Sequence, residues 1–226
     1  MRLLIGIPAY NEEKSIGNVL KSLPRKIPGI SKIQVFVIDD GSSDQTAKVA
    51  QKEGALTVRH ILNIGLGGAI KTIIEFAQKN EFDYLITMDA DGQHDSKDLL
   101  NIVKPVVSKK SDVSIGSRWV KKSNAPLSRI IINKLANLLT FIFYGVKTSD
   151  SQSGLRCFNK KSISLINLQT DGMEVSSEIF RELKNNNLSF TEVPIKAIYT
   201  NYSQTKGQRL DNAPNVFIQL LLRLLR

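Results

Sequence analysis

The chain contains very little cysteine and lacks a long uninterrupted run of apolar residues. Cys157 is the only cysteine among 226 residues, so no disulfide can form within the chain, and the cytosol is the expected compartment. No segment offers the roughly 18 consecutive apolar residues of a clear membrane-spanning helix. The first residues form a short apolar run that soon meets Pro8 and acidic residues, which predicts a strand rather than a signal peptide.

The sequence also lacks internal repeats, low-complexity tracts and any signature of a nucleic-acid-binding motif. It does carry an excess of positive charge, with a formal net charge of +10, and an ordinary 42% of hydrophobic residues. These values predict a globular domain that meets an anionic partner. Because no recognition motif accompanies the charge, we expect no nucleic-acid partner, and anionic lipid and a phosphorylated substrate remain as candidates.

Short strands rich in β-branched residues alternate with amphipathic helices through the first half of the chain. This order predicts an α/β fold, in which right-handed crossovers build a mostly parallel sheet with helices on both faces. Ligands bind such sheets outside the carboxyl ends of the strands. The predicted strands are 3–7, 33–38, 56–60, 84–88 and 113–116, with a later strand at 191–199. The predicted helices are 12–23, 68–80, 96–108 and 176–184, with another that begins at Ser43 or Asp44 and ends at residue 54.

Two apolar segments in the second half carry more hydrophobic side chains than one buried stripe requires. They are residues 129–146, which begin at Arg129, and the C-terminal residues 211–226. Amphipathic helices with basic residues suit the surface of an anionic membrane, which predicts peripheral binding at the cytoplasmic membrane face. The alternatives are a core helix for the first segment and a homo-oligomer contact for the second. We expect a domain over residues 1–210, to which the C-terminal helix is appended.

An acidic loop follows the fourth predicted strand. Asp89, Asp91 and Gln93 alternate along an extended chain, so their side chains point the same way. Carboxylate and amide oxygens are hard donors, which favours Mg²⁺ or Mn²⁺ over zinc. A cation with so few protein ligands keeps sites open for phosphate oxygens, as a protein that handles a nucleotide diphosphate requires. The alternative is a capped turn, in which Asp95 or Ser96 starts the next helix.

Six short motifs stand at or near the ends of predicted strands. They are PAYNE (8–12), VIDDGSSDQT (37–46), NIGLGGA (63–69), MDADGQH (88–94), IGSRW (115–119) and SGLRCF (153–158). In this combination the chain resembles the family 2 glycosyltransferases, over roughly residues 1–200. Within that family it is most similar to dolichyl-phosphate mannose synthases and bacterial polyprenyl-phosphate glycosyltransferases. The resemblance implies the GT-A fold, a nucleotide-diphosphate sugar (GDP-mannose or a UDP-sugar) as donor, and dolichyl or polyprenyl phosphate as acceptor.

The resemblance also implies roles for individual residues. The implied nucleotide-binding residues are Pro8, Tyr10, Glu12, Asp39, Asp40 and Asp89. The implied ligands of Mg²⁺ or Mn²⁺ are Asp89, Asp91 and Gln93. The implied catalytic residues are Asp91, Arg118, Arg129 and Asp150. The acceptor phosphate is expected to meet Arg118, Arg129, Asn133 and a later basic residue, either Lys206 or Arg209.

Two kinds of acceptor remain open, and the expected product has inverted configuration at the anomeric carbon. A lipid phosphate is already an anion, so its oxygen needs no general base, and catalysis rests on positioning and charge neutralisation. A hydroxyl of a glycan or glycolipid needs a base, for which Asp150 and Glu174 are the candidates. Glu178 is expected on a helix surface instead. A catalytically inactive, membrane-bound binding protein with the same fold is a further alternative.

Overall fold

A sheet of seven strands organises residues 1–120 and 127–198, the part of the chain that the computed structural model describes. The strands lie in the order β3-β2-β1-β4-β6-β5-β7. Their bounds are β1 Arg2–Ala9, β2 Lys32–Asp39, β3 Leu56–Arg59, β4 Tyr84–Thr87, β5 Val113–Ser117, β6 Arg156–Asn159 and β7 Phe190–Pro194. Neighbouring strands run parallel except around β6, which is antiparallel to both β4 and β5.

Helices cover both faces of this sheet. They are α1 Ile16–Ser22, α2 Thr46–Lys52, α3 Leu66–Lys79, α4 Asp98–Val107, α5 Leu127–Tyr144, α6 Lys160–Leu165 and α7 Val175–Asn185. Hydrophobic residues of α1, α2 and α4 pack on one face, and those of α3, α6 and α7 pack on the other. The described helices include none that is long and apolar enough to cross a membrane.

The central strands are buried on both faces, which explains their continuous apolar sequences. In β1, Leu3, Ile5 and Ile7 point into one hydrophobic layer, whereas Leu4 points into the other. All four side chains have no exposed surface. Because β1, β2 and β4 are parallel, their carboxyl ends meet at one edge of the sheet, and the polar residues that follow each strand collect there.

The predicted alternation of strands and helices is confirmed over the first half of the chain, whereas several later details are wrong. Residues 156–159 form the unpredicted strand β6, and the last described strand ends at Pro194, before the expected boundary. Glu178 is fully buried rather than on a helix surface, because its carboxylate accepts hydrogen bonds from the backbone N–H groups of Gln169 and Thr170. The predicted domain boundary at residue 210 and the C-terminal helix lie outside the described residues.

Gly6→Ala tests how closely α3 packs on the centre of the sheet. A methyl group at Gly6 would overlap the side chain of Ile73, which is fully buried. We expect Gly6→Ala to lower the free energy of unfolding by about 1–3 kcal/mol, because a packed interior accommodates an added methyl group poorly. Ile73→Ala alone should cost about 2–5 kcal/mol. In urea denaturation the double variant should lose less than the sum of the two, and additive losses would contradict this packing.

Candidate active site

A cavity of about 490 Å³ opens at the carboxyl edge of the sheet. Its lining comes from the ends of β1 and β4, the first turns of α3 and α5, and the segments that precede β6 and α7. The predicted site residues that line it together are Pro8, Tyr10, Glu12, Asp89, Asp91, Gln93, Arg118 and Arg129. A second cavity of about 420 Å³ lies at the opposite edge of the sheet, beside Met1 and Asn159, and has none of these residues in its lining.

Local hydrogen bonds hold the acidic loop that follows β4. The Oδ1 atom of Asp91 accepts a 2.9 Å hydrogen bond from the backbone N–H of Gln93. The Nε2 atom of His94, whose side chain is buried, lies 3.1 Å from Oδ2 of Asp89. The carbonyl of Gln93 accepts a 2.9 Å bond from the backbone N–H of Ile198. The loop is therefore tied both to its own residues and to the segment that follows β7.

The two carboxylates of this loop have opposite electrostatic environments. Burial, followed by the negative charge of Asp89, raises the pKa of Asp91 to about 6. Burial also acts to raise the pKa of Asp89, but the hydrogen bond from His94 and the charges of His94, Arg118 and Arg156 outweigh it and leave this pKa lowered. Asp89 is therefore an anion at neutral pH, whereas Asp91 is a carboxylate with too little positive charge around it.

Close packing against the segment before β6 fixes the position of Asp89. A methyl group added at Gly154 would overlap both carboxylate oxygens of Asp89. Thr87 holds the same segment, because its hydroxyl donates a 3.0 Å hydrogen bond to the carbonyl of Gly154. Since Gly154 is not among the glycines with positive φ, it is needed here for space and not for its backbone conformation.

Arg118 and Asp150 form a buried, bidentate ion pair beside the cavity. Nε and Nη2 of Arg118 each donate a 2.7 Å hydrogen bond to the carboxylate of Asp150, and the backbone N–H of Arg118 adds a third bond of 3.1 Å. Asp150 has no exposed surface, whereas Arg118 lines the cavity. Both carboxylate oxygens of Asp150 accept hydrogen bonds from the guanidinium of Arg118, and this paired geometry fixes the orientation of the arginine side chain.

Arg156 is a cavity residue whose role the sequence did not reveal. It belongs to β6, is almost completely buried and yet lines the cavity. Burial lowers its pKa to about 10, although the charges of Asp89 and Asp150 act in the opposite direction. The guanidinium therefore stays charged at neutral pH, and it supplies part of the positive charge that keeps Asp89 ionised.

Asp40 organises the loop between β3 and α3. Its Oδ1 atom accepts a 3.1 Å hydrogen bond from the backbone N–H of Ile64 and lies 2.8 Å from Nδ1 of His60. Its Oδ2 atom accepts a 2.8 Å bond from the backbone N–H of Gly65. Asp40 is outside the cavity lining and its carboxylate holds this loop, so nucleotide contact by this residue stays a prediction.

Four other predicted residues also lie outside the cavity lining, namely the buried Asp150 described above, Asp39, Asn133 and Glu174. Asp39 is buried at the end of β2, where its Oδ2 atom lies 3.5 Å from Nε of Arg59 and has no hydrogen bond within the described chain. The amide of Asn133 donates a 2.9 Å hydrogen bond to the carbonyl of Ser149 instead of facing the cavity. Glu174 is mostly buried and directly precedes α7. Outside the described residues lie the two other predicted phosphate contacts, Lys206 and Arg209.

Arg156, His94 and Gly154 are site residues to which sequence reasoning assigned no role. Arg156 could have been noticed in the sequence, because an arginine within the apolar segment LRCF is unusual for a buried strand. His94 stands within the acidic motif, but its contact with Asp89 depends on how the loop turns. Gly154 has no signal in its own sequence context, because the space that it leaves is filled by a residue 65 positions earlier in the chain.

The residues of the acidic loop fit a divalent cation whose coordination is completed by a ligand. In the described ranges, no group of three or more His, Cys, Asp or Glu side chains is arranged to hold a metal ion. Asp89 and Asp91 nevertheless line one cavity with Gln93, and burial together with the negative charge of Asp89 raises the pKa of Asp91. Hard oxygen donors that are too few to saturate a cation suit Mg²⁺ or Mn²⁺ bound together with phosphate oxygens.

Solved structures identify the fold as the GT-A fold of glycosyltransferases. The glucosyl-3-phosphoglycerate synthase of Mycobacterium tuberculosis, crystallised with Mn²⁺, UDP and glucosyl-3-phosphoglycerate, superposes with a TM-score of 0.75. The superposition covers 99% of this chain and 78% of that one, at 18% sequence identity. At this level of identity the likeness establishes the fold alone.

Sequence comparison then defines the family. Residues 4–165 match the family described as Glycosyl transferase family 2, and the chain belongs to this family of enzymes. An uncharacterised protein of Methanocaldococcus jannaschii is 42% identical over 226 residues, which cover 98% of this chain and 91% of that protein. The UDP-N-acetylglucosamine–dolichyl-phosphate N-acetylglucosaminyltransferase of Methanococcus voltae is 33% identical over 238 residues, 96% of this chain and 93% of that enzyme. The family predicted from the motifs is confirmed.

Gly154→Ala is expected to disturb the acidic loop without unfolding the protein. The added methyl group would displace the carboxylate of Asp89, so Mn²⁺ binding in the presence of UDP or GDP should weaken by about ten-fold or more, as when a metal site loses a well-placed ligand. Titration calorimetry measures this change. Gly17→Ala in α1 is the control, because its methyl group meets only Val49, at 3.2 Å. Equal Mn²⁺ affinity in both variants would contradict the packing argument.

Proposed function

We propose that the protein transfers a sugar from a nucleotide-diphosphate sugar to polyprenyl or dolichyl phosphate, with inversion at the anomeric carbon. One arrangement carries this proposal: the cavity combines an acidic loop with three arginines, of which Arg118 and Arg129 are the predicted phosphate contacts. The acidic loop suits a cation bound to the diphosphate of the donor. The guanidinium groups suit a second, separate phosphate, because their planar donors match phosphate oxygens.

The relatives support this acceptor. This chain is similar to the enzyme of Methanococcus voltae over almost its whole length. The name of that enzyme states a dolichyl phosphate acceptor and a UDP-sugar donor. The Mycobacterium tuberculosis synthase of the same fold was crystallised with Mn²⁺ and UDP. For this chain the donor is accordingly a UDP- or GDP-sugar, and the cation is Mg²⁺ or Mn²⁺.

The side chains around the cavity favour an acceptor that needs no general base. The carboxylates of the described cavity lining are Glu12, Asp89 and Asp91, and the last two belong to the proposed cation site. Asp150 is fully buried in its ion pair with Arg118, and Glu174 lies outside the lining. An acceptor phosphate is already ionised, so it needs only to be held in line with the anomeric carbon. Transfer to a sugar hydroxyl is therefore the less supported alternative.

The acidic loop and the ends of β1 and β4 would bind the sugar donor. Asp89, Asp91 and Gln93 would hold the cation, which supplies neutralisation of the charge on the departing diphosphate. Tyr10 is half exposed at the cavity, where its ring suits stacking on the nucleotide base. Arg118, oriented by Asp150, would stabilise charge on the phosphates between which the sugar moves.

Helix α5 supports attachment to a membrane surface. Its exposed apolar side chains recur at helical spacing along one face, at Ile131, Leu135, Leu138 and Ile142. Its other face packs on α7, where the hydroxyls of Thr140 and Ser177 lie 3.1 Å apart. An apolar stripe of this size normally marks a partner, and a substrate with a polyprenyl tail lies in a membrane. We therefore place the protein at the cytoplasmic face of a membrane, with α5 in the interface.

The direct test is a transfer assay with purified protein. UDP-N-acetylglucosamine, UDP-glucose and GDP-mannose are each incubated with Mg²⁺ or Mn²⁺ and with either polyprenyl phosphate or an oligosaccharide acceptor. We expect an inverted glycosyl phosphate lipid from at least one donor, and loss of its formation with EDTA or with Asp91→Asn. Transfer to the oligosaccharide but never to the lipid phosphate would refute the proposed acceptor.

Asp150→Asn separates the two acceptor chemistries. If Asp150 only orients Arg118, the variant should raise KM for polyprenyl phosphate by about ten-fold, the effect of weakening one charged hydrogen-bond network, while the shape of the pH–rate profile persists. If Asp150 were a general base, kcat should fall by about 10²–10⁴-fold and the limb of the profile that reports its ionisation should vanish. Steady-state kinetics between pH 6 and 9 distinguishes these outcomes.

The pKa of Asp91 makes the proposed cation site testable by titration. Without a cation, this carboxyl should hold its proton until about pH 6 in ¹³C NMR spectra, because burial and Asp89 disfavour the anion. Bound Mg²⁺ favours the ionised form and must lower the apparent pKa, to about pH 5 when Mg²⁺ is present at ten times its dissociation constant. The spectrum of Asp91→Asn assigns the signal. A titration midpoint that Mg²⁺ leaves unchanged would contradict a role for Asp91 as a ligand.

Vesicle flotation tests the role of α5. Leu135→Ser and Leu138→Ser, combined, should weaken binding to phosphatidylcholine–phosphatidylglycerol vesicles by about ten-fold or more, because both side chains are half exposed and would enter the interface. The matched control combines Leu100→Ser and Leu165→Ser, whose exposure is similar but which lie on α4 and α6. Equal flotation of both double variants would exclude α5 as the membrane contact.

A further inference from the structure

The buried guanidinium of Arg156 has acceptors for only part of its N–H groups within the described residues. Nη2 donates to the carbonyls of Ser151 and Ser176, each at 3.2 Å, which uses both of its hydrogen atoms. Nε is buried and has no hydrogen-bond partner within the described residues. The side chain is 1% exposed, and it lines the cavity. A buried donor without an acceptor is unfavourable, so this arrangement points to a ligand that supplies one.

What Arg156 lacks is an acceptor and not a negative charge. Asp89 and Asp150 are close enough to raise its pKa against the effect of burial. Within the described ranges, however, neither carboxylate forms an ion pair or a hydrogen bond with it. The charge is thus partly balanced by its surroundings, while the Nε–H group has no acceptor among the described residues. Neutral oxygen atoms with free lone pairs, such as the hydroxyls of a sugar, fit this requirement better than another phosphate does.

The position of Arg156 in the sheet also favours a sugar as its ligand. Its partner across the antiparallel pair of strands is Thr87, two residues before Asp89, so Arg156 lies beneath the acidic loop and not at the level of the loop. The lining of the same cavity includes hydroxyl and apolar side chains, among them Ser176, Met173 and Ile70. Such a mixture suits a hexose ring, which presents hydroxyls at its edge and C–H groups on its faces.

We infer that Arg156 donates hydrogen bonds to hydroxyl groups of the donor sugar, and that the cavity beneath the acidic loop is the sugar subsite. This inference rests on the proposed function, because it requires a nucleotide-diphosphate sugar whose diphosphate is held at the acidic loop. Arg156 then discriminates between a nucleotide sugar and the bare nucleotide, whereas Asp89 and Asp91 serve both ligands. Its contribution belongs to recognition of the sugar and not to binding of the cation.

The test compares the affinity for a nucleotide sugar with that for its nucleoside diphosphate. Calorimetry with Mn²⁺ measures UDP against UDP-N-acetylglucosamine and UDP-glucose, and GDP against GDP-mannose, in the wild type and in Arg156→Lys. Lysine keeps the positive charge but lacks the planar set of N–H donors that a guanidinium has. We expect unchanged affinity for the nucleoside diphosphate and about ten-fold or greater loss of affinity for the sugar nucleotide, as for a lost hydrogen bond to a charged donor. Circular dichroism and thermal melting verify that the variant is folded.

A second measurement needs only ligand changes and is independent of how well the variant folds. Deoxy analogues of the preferred nucleotide sugar, each lacking one hydroxyl, are titrated into the wild-type protein. At least one deletion should weaken binding by about ten-fold, and the same deletion should have little further effect in Arg156→Lys, because both changes remove one interaction. Additive effects, or a deoxy series that binds as well as the parent sugar nucleotide, would overturn the inference.

The remaining outcomes separate this inference from the proposed function. If Arg156→Lys is folded but binds UDP–Mn²⁺ or GDP–Mn²⁺ much more weakly, Arg156 acts through Asp89 on the cation loop, and the sugar assignment is refuted. An equal loss of affinity for nucleotide and nucleotide sugar would refute it as well. If the wild-type protein itself shows no metal-dependent binding of any nucleotide in the panel, the proposed function fails, and the inference fails with it.

Discussion

Two carboxylates that stand side by side at the end of β4 impose the main electrostatic constraint on this cavity. Two neighbouring negative charges are unfavourable in a partly buried site, and the surrounding positive charges stabilise one carboxylate more than the other. Asp89 has His94, Arg118 and Arg156 within electrostatic reach, whereas the pKa of Asp91 is raised by burial and by its neighbour. The cavity is therefore built around a deficit of positive charge at one carboxylate, and a cationic ligand is the natural complement of that deficit.

The antiparallel strand β6 brings the charges of the second half of the chain to the same place. It inserts between β4 and β5, so the segment that enters it passes directly along the acidic loop. Gly154 makes room for Asp89, Asp150 holds Arg118, and Arg156 reaches beneath the loop. A parallel strand in this position would have placed its first residues at the far edge of the sheet, away from the cavity.

The part of the cavity formed by the ends of β1 and β4 could largely be predicted from the sequence, because the motifs that form it are local. Each parallel strand is a short apolar run that ends in polar residues, and parallel strands present those ends at one edge. This reasoning brought together Tyr10, Asp89 and Asp91, which do line one cavity. The contribution of β6 was harder to predict, because this strand is only four residues long and its pairing partners are distant in sequence.

The residues that sequence reasoning misplaced or overlooked depend on tertiary contacts. Glu178 has the helical spacing of a surface residue, yet it is buried by the loop that it anchors through Gln169 and Thr170. Asp150 stands in a loop whose sequence fits a base, a cap or an ion pair equally well, and only the geometry selects Arg118 as its partner. Hydrogen-bond partners across such sequence separations are set by the fold and leave no periodic pattern to detect.

Helix α5 contributes to two surfaces, the cavity and an exposed apolar face. Arg129, near its first turn, lines the cavity, and the outward apolar side chains extend to Ile142, about 20 Å further along the axis at 1.5 Å per residue. A helix of this length moves as a rigid body. A tilt of its apolar C-terminal half would therefore also move Arg129 at its N-terminal end. If α5 lies in a membrane interface as proposed, the order and thickness of the lipid would influence the alignment of Arg129 in the cavity without contacting it.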